Sequence, residues 1–167
     1  MNKRSAVEAY LSKLQITFEV YEHPPVPTVE EALPYWENID ACHCKNLFFR
    51  NHKGNRHYLV ILDHRRKLNI RDLEQRLKQG KISFASPKRM ERYLGLSGGS
   101  VSVFGLINDQ DKHVHVFIDA KLQNAEKISF HPNENTATFV ITFASFQRFL
   151  EKSGNSYEFI SLYPIGE

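Results

Sequence analysis

Short apolar segments typical of β-strands recur along the chain without a regular alternation with helices, and this pattern constrains the fold more than any other feature. The clearest are residues 58–62, 114–118 and 137–141, while amphipathic helical patterns occupy residues 5–15 and 142–154. The whole pattern predicts seven or eight strands and four or five helices. Because there is neither a βαβ rhythm nor an internal repeat, we expect an α+β domain.

The composition is that of a protein that buries a core, with 41% hydrophobic and 25% charged residues in a chain of 167. This length fits one domain over residues 1–167. No stretch of about 18 apolar residues occurs, and the N-terminus begins with polar helical sequence, so we expect neither a membrane span nor a secretory signal. Cys42 and Cys44 are too close for an ordinary disulfide. A cytoplasmic protein is therefore expected.

Local signals mark the ends of several predicted elements. Ser5-x-x-Glu8 and Thr28-x-x-Glu31 are typical of capping boxes at helix starts. We expect Pro34 to end the second of these helices, because proline lacks the backbone N–H that a continuing helix needs.

Two further helices and two strands have signals of the same kind. Asn69 predicts a helix that Gly80 ends, and Ser86 followed by a proline predicts a helix that Gly95 ends. The strands 47–49 and 58–62 flank a loop with hairpin composition, and a further strand is predicted around residues 104–107.

Positive charge is concentrated in residues 64–92, which hold ten Lys or Arg against three acidic residues and are therefore net +7, whereas the remainder is net −4. This asymmetry predicts a surface that binds a polyanion, and a solvated helix face is the alternative. The candidate contacts to nucleic-acid phosphates are Arg65, Arg66, Lys67, Lys88 and Arg89.

The sequence offers little support for a metal site or a catalytic thiol. Cys42–Cys44 has the wrong spacing for a paired zinc ligand set, and His113 with His115 brings no third ligand. A nucleophilic cysteine with His23 or His131 as its base is conceivable, but buried cysteines more often serve as small apolar side chains. The motifs of lipase-like, P-loop and dinucleotide-binding proteins are absent. We expect no metal and no cofactor.

Lys45 lies at the start of the predicted strand 47–49, and alternation places its side chain on the same face as Leu47 and Phe49. An inward ammonium would suit a phosphate or a developing oxyanion, whereas a lysine that extends from the strand end into water is the alternative. The backbone of residues 98–100 would suit an anion or a carbonyl group in the same way, although most such stretches are plain connections.

Five blocks of sequence follow one another over nearly the whole chain: Glu22–Val26 with Thr28–Ala32, His43–Arg50, Ser83–Pro87, Gly99–Asp109, and Phe130–Pro132 with Asn135–Thr138. In this order they resemble the aminoacyl-tRNA deacylases of the YbaK/prolyl-tRNA-synthetase editing-domain superfamily, specifically the free-standing alanyl-tRNA(Pro) deacylase branch. The resemblance implies a compact domain with a mixed, partly barrel-like sheet surrounded by helices. It also implies a metal-free hydrolase that removes a small amino acid, alanine above all, from mischarged tRNA(Pro).

The resemblance further implies roles for individual residues. Lys45 matches the family's functional lysine, which holds the terminal phosphate or the ester, and the loop at Gly99 approaches the aminoacyl group. The residues implied in substrate binding are His23, Asn46, Ser100, Val101, Ser102, Val103 and His131. The implied partners are the acceptor end of the mischarged tRNA and, transiently, prolyl-tRNA synthetase.

One residue departs from the family pattern, because Val103 stands where the family's Gly-x-x-x-Pro loop has proline. This departure keeps open a second hypothesis, a binding module of the same fold without catalytic activity. If the Val103 N–H is unpaired, we expect Val103→Pro to stiffen the loop without harming stability and to tighten selectivity for alanine over serine.

Overall fold

The computed structural model describes residues 2–162, which form five α-helices, eight strands and two 3₁₀ helices. The helices are α1 (Lys3–Lys13), α2 (Val29–Trp36), α3 (Ile70–Leu77), α4 (Pro87–Leu94) and α5 (Phe143–Ser153), and the 3₁₀ helices are Val103–Asn108 and Ala120–Asn124. The strands are β1 (Glu19–Glu22), β2 (Cys42–Arg50), β3 (His57–Asp63), β4 (Ser83–Phe84), β5 (His115–Asp119), β6 (Lys127–Phe130), β7 (Ala137–Thr142) and β8 (Tyr157–Ile160).

All eight strands belong to one mixed sheet in the order β1-β7-β6-β2-β3-β5-β8, with β4 beside β2. The pairs β1–β7, β6–β7, β2–β3 and β2–β4 are antiparallel, whereas β2–β6, β3–β5 and β5–β8 are parallel. The α+β fold class and the mixed sheet predicted from the sequence are confirmed.

Each face of β2 contributes to a different part of the core. Phe48 packs in the largest cluster, which includes Phe104 and Phe149 under α1 and α5. Phe49 points the other way, into a cluster that α3 closes with Leu73. This alternation follows from the pleat of the strand and fixes which side chains share a face.

Two helix boundaries differ from the sequence prediction. Helix α1 begins two residues before Ser5, because the Asn2 side chain caps it by accepting a hydrogen bond from the Ser5 N–H at 2.7 Å. Pro34 lies inside α2, which continues to Trp36. The exposed proline sits in the last turn, and Trp36 stabilises that turn by its burial and by a hydrogen bond from its indole N–H to Thr138.

Two elements were assigned wrongly from the sequence. The run at 103–108 is a 3₁₀ helix and not a strand. Ser102 caps this helix by accepting a hydrogen bond from the Phe104 N–H. The prediction was wrong because consecutive apolar residues carry no period that distinguishes a strand from a helix. Strand β6 was missed, since its four residues contain only two apolar side chains. Helix α3 also ends earlier than predicted, with Lys78 and not Gly80 in the left-handed capping position.

The remaining boundaries agree with their local signals. Asn69 caps α3, Ser86 caps α4 with proline in its first turn, and Gly95 ends α4 at φ +66°. Among residues 2–162, no helix combines the length and apolar character that crossing a bilayer requires.

Candidate active site

The edge of β2 that faces away from β3 is interrupted. Cys42 and His43 pair with β6 there, and Phe49 and Arg50 pair with β4. Between these two pairings, the part of the chain that the structure describes offers residues 44–47 no strand partner on that edge. A cavity of about 220 Å³ opens at this gap.

Lys45 lines the cavity from the fourth position of β2, further inside the strand than the sequence predicted. Within residues 2–162 its ammonium has no hydrogen bond or ion pair. Burial lowers the pKa of Lys45, while the carboxylates of Asp63 and Glu30 act in the opposite direction. The fold thus holds a cation at the cavity wall without giving it a partner.

Asp63, whose charge influences Lys45, is kept ionised by an arginine. Burial alone would raise the pKa of Asp63, but hydrogen bonds from the Arg65 side chain and backbone lower it to about 2. The Arg65 guanidinium contacts both carboxylate oxygens, at 3.1 and 2.7 Å. Asp63 therefore remains a fixed negative charge near the cavity.

A loop between α4 and the 3₁₀ helix lines the cavity beside β2, and Asn46 fixes its position. The Asn46 Oδ1 accepts a hydrogen bond from the Val103 N–H at 3.1 Å. Val103 itself is fully buried in the main core. The condition under which Val103→Pro would be harmless is therefore not met, because proline would remove this donor.

Gly99 brings the same loop against the segment before α2. Its φ is +81°, and a Cβ built on it would lie 3.1 Å from the Cα, Cβ and carbonyl oxygen of Pro27. Gly98, its neighbour, has open space within 4 Å of the same position. Glycine is required at position 99 both by the left-handed backbone and by this close approach.

A chain of hydrogen bonds supports the far wall of the cavity. His23 Nδ1 lies 2.9 Å from the Pro24 carbonyl oxygen, which can only accept, so Nδ1 donates there, and Nε2 lies 2.9 Å from Thr138 Oγ1. Thr138 Oγ1 in turn accepts from the indole N–H of Trp36 at 3.2 Å. His23 acts behind the wall, through Thr138.

His131 presents a hydrogen-bond acceptor to the cavity. Its Nδ1 lies 3.1 Å from the carbonyl oxygen of Ala137 and therefore donates. Burial lowers the pKa of His131, which favours the neutral ring, although the bond to Ala137 opposes this. Nε2 has no partner among the described residues and is not sealed from solvent, so its lone pair is available to a bound molecule.

The fold therefore brings together residues from distant parts of the sequence. A family model described as the aminoacyl-tRNA editing domain matches residues 23–149. The chain belongs to this family. Prolyl-tRNA editing protein ProX from Acetoanaerobium sticklandii is 38% identical over 163 residues, covering 97% of this chain and 99% of that protein. Prolyl-tRNA synthetase associated domain-containing protein 1 from Bos taurus is 34% identical over 155 residues, covering 91% of each.

A solved structure, described as that of a candidate trans-editing enzyme for prolyl-tRNA synthetase, superimposes on this editing domain with a TM-score of 0.72. The sequence identity is 19%, and the match covers 96% of this chain and 98% of that one. At this identity the likeness shows the fold alone.

Five of the residues singled out from the sequence line the cavity of the editing domain: Lys45, Asn46, Gly99, Val101 and His131. His23 lies one hydrogen bond behind it, and the buried Ser100, Ser102 and Val103 belong to the body of the loop. Sequence reasoning gave no role to Pro27, Trp36, Ser129 and Thr138, which also line it. The available signal was Trp36, the only tryptophan, on a short capped helix.

The basic residues of the editing domain fall into two groups. Arg65, Arg66, Lys67 and Lys88 are exposed, with Arg65 paired to Asp63. Arg89 is only half exposed, because its Nη1 donates to the carbonyl oxygen of Gly54 at 2.8 Å and to His57 Nε2 at 3.1 Å. Arg89 therefore holds the β2–β3 hairpin against α4.

The structure also tests two alternatives from the sequence, a metal site and a catalytic cysteine. Within residues 2–162 no three His, Cys, Asp or Glu side chains are grouped as metal ligands. Contact with Cys42 and burial raise the pKa of the Cys44 thiol well above its usual value, so Cys44 stays protonated and is a poor nucleophile.

Proposed function

We propose that this editing domain hydrolyses the ester that joins a small, wrongly attached amino acid, alanine above all, to the 3′ end of tRNA(Pro). The observation that carries the proposal is the convergence of an unpartnered lysine and a close-packed glycine loop on one small cavity. The 38% identical ProX protein is named for prolyl-tRNA editing, which supports the same substrate.

The chemistry follows from which groups still lack partners. The Lys45 ammonium holds the terminal phosphate or stabilises the oxyanion that forms when water adds to the ester carbonyl carbon. The neutral His131 Nε2 accepts a hydrogen bond from the amino group of the substrate. The apolar side chains of Val26 and Val101 line the same cavity and would contact the side chain of the amino acid.

The reaction needs no protein nucleophile. Water adds to the carbonyl carbon, the bond from that carbon to the ribose oxygen breaks, and the ribose oxygen leaves as a hydroxyl with one of the water protons. The amino acid leaves as a carboxylate, and the second proton passes to solvent. In line with the family resemblance, the neighbouring ribose hydroxyl helps to activate the water.

The test is a single-turnover hydrolysis panel on alanyl-, seryl-, cysteinyl- and prolyl-tRNA(Pro). We expect alanyl-tRNA(Pro) to be cleaved fastest and prolyl-tRNA(Pro) to be spared. A protein that binds these tRNAs but cleaves none of them would support the second candidate, a binding module, which the Val103 departure favours. Faster cleavage of prolyl-tRNA(Pro) would contradict both hypotheses.

Two expectations accompany the proposal. Charged tRNA as substrate implies the cytoplasm as the compartment. A transient contact with prolyl-tRNA synthetase stays a prediction of the family resemblance.

The exposed basic residues are expected to set tRNA affinity and not the chemical step. Arg66→Ala with Lys67→Ala should weaken tRNA binding and reduce the slope of log K against log salt by about one for each phosphate that is no longer neutralised. Arg65 is left in place, because its removal would also expose the charge of Asp63 to Lys45.

Binding is measured by fluorescence anisotropy over a salt series. The charge-matched control is Lys13→Ala with Lys152→Ala, outside the basic segment. If both double variants bound tRNA with the parent's salt slope, residues 66 and 67 would not contact the tRNA.

Val103→Pro is expected to keep the fold while releasing Asn46. Ser102 is extended (φ −152°, ψ 150°), as a residue before proline prefers, and position 103 opens a 3₁₀ helix. Removing the N–H leaves Asn46 Oδ1 without its donor, which costs about 1–3 kcal/mol, more than the roughly 0.4–1 kcal/mol that the stiffer unfolded chain returns. The free energy of unfolding should therefore fall by about 1–2 kcal/mol.

The functional readout is the ratio of single-turnover rates on alanyl- and seryl-tRNA(Pro), for Val103→Pro, Asn46→Ala and the double variant. If the hydrogen bond between Asn46 and residue 103 fixes the loop, the double variant should match the single variants. Multiplying effects would show that the two residues act separately.

A further inference from the structure

Phe84 is the most exposed large apolar side chain among residues 2–162, with 60% of its surface accessible. It belongs to β4, and its ring stacks on the fully buried ring of Phe49 at a centroid distance of 4.6 Å and an interplanar angle of 28°. The support from Phe49 holds the Phe84 ring in place, and its uncovered side remains open to solvent.

The position of Phe84 relative to the cavity follows from the strand register. Phe84 pairs with Phe49, and Phe49 lies on the same face of β2 as Leu47 and Lys45. Strand β4 also occupies the interrupted edge of β2 directly after the cavity. Lys45 and Phe49 are four positions apart along β2, a distance of about 13 Å.

The charge around Phe84 favours an anionic partner. The residue lies inside the basic segment 64–92, and Lys81 and Lys88 on either side of it are both exposed. An exposed aromatic ring on a basic surface is the combination that binds single-stranded nucleic acid, because the bases stack and the phosphates are neutralised.

We propose that Phe84 is a stacking platform for a base in the single-stranded 3′ end of the tRNA, next to the terminal nucleotide at Lys45. This inference rests on the proposed function for the identity of the nucleic acid. Stacking on Phe84 would position the acceptor end along β2, so that the terminal nucleotide enters the cavity. Because every base has an aromatic face, the platform contributes affinity without reading sequence.

The experiment is a double-mutant cycle between Phe84 and the tRNA bases, measured as the affinity for uncharged tRNA(Pro). Phe84→Ala is expected to weaken binding about 5- to 150-fold, as removal of one stacked base does. An abasic nucleotide at one of the two positions next to the terminal adenosine should weaken binding to the parent by a similar factor. Phe84→Ala should then cost nothing further on that abasic tRNA.

Three variants serve as controls. Phe84→Trp keeps a stacking ring and should retain affinity, whereas Phe84→Leu keeps an apolar cover over Phe49 without a flat ring and should lose it even if Phe84→Ala folds poorly. Val20→Ala removes another exposed apolar side chain, 38% accessible, on the distant strand β1 and should have no effect.

The stacking platform would be overturned if the losses of affinity from Phe84→Ala and from the abasic nucleotide multiplied at both tRNA positions. It would also be overturned if the Phe84→Leu protein bound tRNA with full affinity. Hydrolysis is read separately from binding. Coupling without any hydrolysis by the parent would retain the platform and reject the deacylase, whereas hydrolysis without coupling would reject the platform alone. A parent that does not bind tRNA would reject both.

Discussion

Replacing Lys45 by alanine is expected to lower single-turnover hydrolysis of alanyl-tRNA(Pro) about 100- to 1000-fold, the usual cost of removing a group that stabilises an oxyanion. The fold should not suffer, because the Lys45 side chain makes no hydrogen bond or ion pair within residues 2–162. Burial lowers its pKa, so the folded state disfavours the ammonium, and this cost is present whenever the lysine is charged. Lys45→Met should therefore unfold at the same temperature as the parent or at a higher one.

One variant separates charge from geometry at position 45, and a second serves as a control elsewhere in the chain. Lys45→Arg keeps the charge but places a planar group where a compact ammonium fits, and it should recover little activity. Lys152→Ala removes a lysine from α5 and should retain full turnover. Near-parental turnover by a well-folded Lys45→Ala protein would remove Lys45 from the mechanism.

Elements whose boundaries depend on neighbouring residues were predictable from the sequence. Helix α4 begins at a serine cap followed by proline and ends at Gly95, as predicted. The strands β2 and β3 followed from two apolar runs around a polar loop. The run 103–108 was not predictable in this way, because its consecutive buried residues, Val103–Leu106, carry no period that distinguishes a strand from a helix.

The residues of the candidate site also differ in whether local sequence could reveal them. Lys45 and Gly99 stand within sequence blocks and could be selected from the sequence alone. The bonds from Thr138 to His23 and Trp36 span 115 and 102 residues, and no local pattern shows such contacts. The hydrogen bond between Asn46 and Val103, which are 57 residues apart in the sequence, is of the same kind. It shows that the Val103 N–H is paired, whereas the expectation for Val103→Pro required this N–H to be unpaired.

Gly99→Ala should damage both stability and turnover, whereas Gly98→Ala, one residue away, should leave both unchanged. At position 99 the new methyl group would meet Pro27 at 3.1 Å on a backbone at φ +81°, and left-handed backbone costs a side-chain-bearing residue about 1–2 kcal/mol. At position 98 the methyl group meets nothing within 4 Å. The two variants therefore carry the same chemical change and differ in what surrounds it.

A functional loss should accompany the loss of stability at Gly99, because Pro27 and the glycine loop meet at the wall of the cavity. Pushing them apart by a few tenths of an ångström widens a pocket meant for a methyl group, and a displacement of about 1 Å can cost about 100-fold in rate. We expect the free energy of unfolding to fall by about 1–2 kcal/mol and single-turnover cleavage of alanyl-tRNA(Pro) to slow at least about tenfold, with denaturant melts and rapid-quench kinetics as the measurements. Equal effects of Gly98→Ala and Gly99→Ala would mean that the contact with Pro27 does not shape the pocket.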